Sequence, residues 1–95
     1  MSVRVVIERH AKKGKEKELE NLLKELRIRG IRQPGYLSGE TLQSLDDLSL
    51  SLVLSTWATI SDWKAWENSP QRREISAKID PLLASPARTI VFTQI

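Results

Sequence analysis

Apolar side chains recur along this chain with two different periods, and the switches between them mark its elements. Val3, Val5 and Ile7 alternate with Arg4, Val6 and Glu8, which predicts a strand over residues 3–9. Gly14 breaks that run. Leu19, Leu22, Leu23 and Leu26 then fall on one helical face, predicting a helix from about Lys15 to Arg29. Gly30 and Pro34-Gly35 end it and turn the chain. Tyr36 to Leu45 reads as a second strand, bent at Gly39, and Asp46-Asp47 as the hairpin turn after it. Leu50, Leu52 and Leu54 alternate with Ser51, Val53 and Ser55 in the clearest strand pattern of the chain.

The second half continues in helical register. Thr59 or Ser61 can cap a short helix carrying Trp63 and Trp66. Ser69-Pro70 restarts it, serine suiting the N-cap and proline the first helical position, where its missing N–H costs nothing. Ile75, Ile79, Leu82 and Leu83 extend the apolar face, Pro81 kinks or stops it, and Pro86 closes the segment. Thr89 to Gln94 is the last strand. The order βαββαβ implies an α+β, ferredoxin-like fold: one domain over residues 1–95, with a four-stranded antiparallel sheet and both helices on one face. The uncovered face is expected to hold Val6, Val53 and Val91 among Ser51, Ser55, Thr89 and Thr93. A homodimer through that helix-free face would bury it.

Composition narrows the chemistry. The chain has no cysteine, hence no disulfide, thiol nucleophile or thiolate metal site. The N-terminal residues lack the long apolar region of a signal peptide, and no run approaches a membrane span, so a cytoplasmic protein with no membrane partner is expected. Residues 1–32 hold ten Lys or Arg against five Glu. Such a patch attracts anions, but glutamates are interleaved through it, and a solvated helix face explains it as well. RNA-recognition modules share this element order but stack bases on aromatics of strands one and three. Here strand one has none and strand three only Trp57 at its end, so no nucleic-acid partner is expected.

His10 is the only histidine and the candidate general base, although its setting between Arg9 and Lys12 also suits a surface histidine. A lone histidine without cysteine makes a metal site unexpected. No serine lies in a nucleophile elbow, and no glycine-rich phosphate loop occurs. Five aromatics are present, and three of them, Trp57, Trp63 and Trp66, lie within ten residues at the junction of strand three and the next helix. Trp57 and Trp63 are expected in the core, and Trp66 in the core or in a pocket wall able to stack a flat ring.

Several separated blocks together resemble the antibiotic biosynthesis monooxygenase family of dimeric α/β barrels. They are Val3 to Glu8, Gly14, Pro34-Gly35-Tyr36, and above all Leu54-Ser55-Thr56-Trp57 with Trp63-Lys64-Ala65-Trp66-Glu67-Asn68-Ser69. The resemblance spans essentially the whole chain. It implies a homodimer with a pocket between sheet and helices in each subunit. It leaves the reaction open, since such proteins include cofactor-free quinone-forming oxygenases, haem-degrading oxygenases, isomerases and proteins without known activity.

The haem-degrading branch pairs a strand-one asparagine and a helix-two tryptophan with an axial histidine ten residues further on. Trp66 matches the tryptophan, but Ser76 stands at the histidine position and Ile7, Glu8 or Arg9 at that of the asparagine. The expected function is a cofactor-independent monooxygenase acting on a small aromatic or quinol-type molecule, without metal, haem or flavin. The alternative is a non-catalytic small-ligand-binding or assembly module. Trp66, Tyr36 and Arg9 are the candidate substrate contacts, with Arg72 and Arg73 as anion contacts.

Overall fold

The computed structural model describes residues 1–95. Its elements are β1 (Val3–His10), α1 (Glu16–Ile31), β2 (Tyr36–Gln43), β3 (Leu50–Trp57), α2 (Ile60–Glu67), α3 (Pro70–Ile79), a 3₁₀ turn (Asp80–Leu82) and β4 (Arg88–Thr93). The strands form one antiparallel sheet in the order β2-β3-β1-β4, the ferredoxin-like arrangement. Three helices rather than two pack on one face, because the segment carrying the tryptophans breaks between Glu67 and Pro70.

The caps explain that break. Thr59 accepts the Asp62 amide at 3.1 Å and starts α2. Ser69 accepts the Arg72 amide at 3.2 Å to start α3, while its hydroxyl donates back to the Trp66 carbonyl at 2.8 Å. One serine therefore ends one helix and opens the next. At the other end of β3, the hairpin turn occupies residues 44–49, with Asp47 Oδ1 accepting from the Ser49 amide and hydroxyl at 3.0 and 2.6 Å.

Gly30 does not end α1, which runs on to Ile31. A Cβ on Gly30 would stand 3.6 Å from the Trp66 ring, an ordinary contact, so the glycine leaves a shallow notch under the indole. Gly35 answers a stricter demand. Its φ is +83°, and a Cβ there would collide with the Asp62 carboxylate. Its carbonyl accepts the Ala58 amide at 2.7 Å, which fixes the start of β2 against the β3–α2 junction.

The core is built from Val3, Val5 and Ile7 of β1, Leu19, Leu23 and Leu26 of α1, the three tryptophans, and Ile75 and Ile79 of α3. Trp57 and Trp63 are each 1% exposed, with ring centroids 5.8 Å apart, and Tyr36 meets Trp57 edge-on at 5.4 Å. Such pairs add to the burial of large apolar rings.

The strand faces differ from the sequence expectation. Val3 lies opposite Trp57 in the ladder, Val5 opposite Ser55 and Ile7 opposite Val53. Because side chains alternate, Ser51, Val53 and Ser55 point under the helices with Trp57. Val91 also faces that way, opposite Val5. Of the residues expected on the open face, only Val6 is found there. Its companions are Leu50, Leu52 and Leu54 of β3, Ile90 and Phe92 of β4, and Leu42 of β2. The open face is more apolar than alternation alone suggested. Trp57→Ala is expected to cost about 3–5 kcal/mol by urea denaturation, since it empties the centre of the aromatic cluster.

Candidate functional site

The inward serines of β3 have a consequence. The space between α1 and the β2–β3 hairpin is not filled by leucines, and two adjoining cavities remain. One, of about 220 Å³, lies among Leu19, Leu23, Arg27, Thr41, Gln43 and Ser51. The other, of about 50 Å³, lies among Tyr36, Ser55, Trp57, Trp63, Trp66 and Arg72, with Gly30 in its wall. Leu23, Arg27 and Thr41 border both. Arg27 reaches across from α1 and donates to the Gly39 carbonyl at 2.9 Å, a solvent-exposed bond. On the strand side, a Cβ at Gly39 would collide with the Tyr36 hydroxyl, so glycine is what lets that ring lie over β2.

Trp66 lies in both settings foreseen for it. It is 5% exposed, a member of the core, and it borders the smaller cavity. Tyr36 and Arg72 border the same cavity, Arg72 with its Cζ 5.3 Å from the centroid of the Trp63 ring.

Arg9 is 3% exposed on the inward side of β1, opposite Ser51, and borders neither cavity directly. Burial, reinforced by the positive charge of Arg72 and opposed by Asp80, lowers its pKa to about 10, so it stays protonated at neutral pH. Arg72 is lowered too, again chiefly by burial. Neither guanidinium has a carboxylate within ion-pair distance.

Arg73 is exposed on α3 and borders no cavity. His10, at the end of β1 opposite Leu50, falls by alternation on the helix-free face and is not brought together with Trp66. No group of three or more His, Asp or Glu side chains is arranged to hold a metal ion. The sequence reading missed Ser51, Ser55, Arg27 and Gly30 as wall residues. The signal was present in the spacing: Ser51 and Ser55 lie six and two positions before Trp57, on the same face of the strand.

The model of one family, described as antibiotic biosynthesis monooxygenase, matches residues 2–78. The chain belongs to that family. Its match to Protein SchA of Streptomyces halstedii is 28% identical over 79 residues, covering 83% of this chain but about a fifth (21%) of SchA. Among solved structures, a conserved protein from Methanosarcina mazei Go1 superposes with a TM-score of 0.94 at 20% identity, over 100% of this chain and 94% of that one. SnoaB, a cofactor-independent oxygenase from Streptomyces nogalater, superposes with a TM-score of 0.90 at 17% identity, over 99% and 93%. At those identities the likeness to solved structures shows the fold. No helix of this monooxygenase-family chain is long and apolar enough to cross a membrane.

Gly30→Ala should be neutral or stabilising, by up to about 1 kcal/mol in a urea melt. The new methyl group meets Trp66 at ordinary contact distance while improving helix propensity.

Proposed function

We propose that this protein is a cofactor-independent monooxygenase, a cytoplasmic homodimer whose subunits each bind a small flat aromatic or quinol-type molecule against Trp66. The observation that carries the reading is the cavity wall itself. Indole and phenol rings from Trp66, Trp63 and Tyr36 stand with the Arg72 guanidinium in a site between sheet and helices. Family membership supports the monooxygenase assignment, and SnoaB, of the same fold, is a cofactor-independent oxygenase.

In such chemistry the ionised substrate itself reduces oxygen. The protein binds and orients it, favours its ionised form and excludes water. Trp66 supplies the stacking surface, and Arg72 a cation beside it that lowers the pKa of a bound phenol. A ligand larger than the inner cavity extends into the outer one when Arg27 releases Gly39. That is a small rearrangement, since it breaks one exposed hydrogen bond.

The second reading, a non-catalytic ligand-binding module, is favoured by the position of His10 outside the cavity, which leaves no imidazole beside a bound molecule. Oxygen consumption separates the two. A panel of phenols and hydroquinones should quench tryptophan fluorescence saturably where aliphatic acids do not, and Trp66→Ala should weaken that binding. Saturable quenching with no oxygen uptake by any member would favour the binding module, and no quenching at all would sink both readings.

The homodimer is supported by the open sheet face, where Leu54, Val6 and Ile90 form a continuous apolar row across β3, β1 and β4. Light scattering should give about twice 10.8 kDa. Leu52→Lys should shift it towards the monomer, by placing a charge at the centre of that face. A monodisperse monomer for the unaltered protein at micromolar concentration would refute the interface.

A further inference from the structure

Five buried side-chain polar atoms in the protein have no hydrogen-bond partner: Nε and Nη1 of Arg9, Oγ of Ser51, Nε1 of Trp63 and Nε of Arg72. Buried polar groups are nearly always paired, so a cluster of exceptions calls for a cause. These five are not scattered. Arg9 and Ser51 face each other across the β1–β3 ladder on the helix-covered side. Ser51 borders the outer cavity, and Trp63 and Arg72 border the inner one.

Arg72 links the two pairs. It stands 5.3 Å over the Trp63 ring, and its positive charge acts on Arg9. Four of the five atoms are N–H donors, and the fifth is a hydroxyl that can also donate. The set is therefore rich in donors, with Ser51 Oγ its one potential acceptor. It is also short of paired negative charge: Glu67 and Asp80 act on Arg72 and Asp80 on Arg9, but neither carboxylate forms an ion pair with either guanidinium. A buried and a half-buried guanidinium, neither in an ion pair, leave the wall of the cavity net positive.

We propose that this donor set is an oxyanion subsite of the cavity, so that the ligand is a flat aromatic carrying an ionised oxygen, as a carboxylate or as an acidic phenol or enol. The proposal rests on the reading that the cavity beside Trp66 is the ligand site, and it narrows that reading to anionic ligands. Arg72 and the Trp63 indole N–H make the direct contacts, because both border the inner cavity. Arg9, set behind them on β1, is a positioning residue. Its charge strengthens the positive field at Arg72. Charge-assisted hydrogen bonds of this kind are stronger than neutral ones and act in a low-dielectric setting.

The test compares isosteric acid and amide by calorimetry at neutral pH, with para-hydroxybenzoate against para-hydroxybenzamide. The acid should bind roughly ten- to a hundredfold more tightly. Arg72→Gln should abolish that preference, weakening acid binding roughly ten- to a hundredfold more than amide binding, with far-ultraviolet circular dichroism confirming the fold. Sulfate should compete with the acid and not with the amide, a result obtained on the unaltered protein and independent of any variant's folding. The ionised phenol is tested with para-nitrophenol, whose anion absorbs visibly. Its apparent pKa should fall by about one unit or more on binding. The tighter of the two anions then identifies which oxyanion the site takes.

Equal affinity for acid and amide, without a lowered nitrophenol pKa, would overturn the oxyanion subsite and leave the aromatic cavity standing. An acid preference that survives both Arg72→Gln and sulfate would place the anion elsewhere and equally overturn it. Binding of neither acid nor amide would remove the cavity reading together with the subsite.

Discussion

The inward turn of Trp57 governs the rest of this molecule. That ring, opposite Val3 and against Trp63 and Tyr36, is too large to be left on the open face of the sheet. Once it points under the helices, the two-residue period of the strand assigns every other side chain of β3. Ser51, Val53 and Ser55 go in, and Leu50, Leu52 and Leu54 go out. A single aromatic anchor thus produces two features at once: a partly polar chamber beneath α1, and an apolar outer face of the kind that seeks a partner. Trp57 also steadies its own strand locally, its indole N–H donating to Ser55 at 3.0 Å.

The chamber sits beside the best-packed part of the protein. Trp63, Trp66, Ile75 and Ile79 are among its most buried side chains, and they hold α2 and α3 on the sheet. Against that wall stand donors without acceptors, Arg9, Arg72 and the Trp63 indole N–H, in an arrangement that folding stability alone does not favour. Arg9 and Trp63 are held there by burial, at 3% and 1% exposure, whereas Arg72 is half-exposed. The opposite wall is softer. Arg27 spans it through one exposed hydrogen bond, and Gly39 leaves room for Tyr36. A firm wall with a movable cover suits a site that must admit and then enclose a small molecule.

The placements of two residues show where a linear reading meets its limit. Arg9 and His10 are neighbours in sequence, yet the pleat sends one guanidinium into the interior and the imidazole to the opposite face. Gly30 resembles a helix stop in sequence, and α1 nevertheless passes through it, because packing against Trp66 outweighs the modest helix penalty of glycine.

Local chemistry was sufficient to specify the elements and much of their capping. Thr59, Ser69-Pro70 and Gly35 act where their side chains or backbone freedom require, since a cap or a positive φ depends on only a few adjacent residues. The leucine spacing of α1 and the alternation of β1 and β3 likewise fixed helix and strand, and with their order the fold. Alternation by itself defines two faces of β3 without labelling them, and the leucine face was as good a candidate for the core as the serine face; only the spacing of Ser51 and Ser55 from a core Trp57 pointed to the serine face. That choice belongs to the register between Val3 and Trp57, a contact between residues 54 positions apart. The cavity, the buried Arg9 and the exposed apolar row all follow from it, which is why they became visible only in three dimensions.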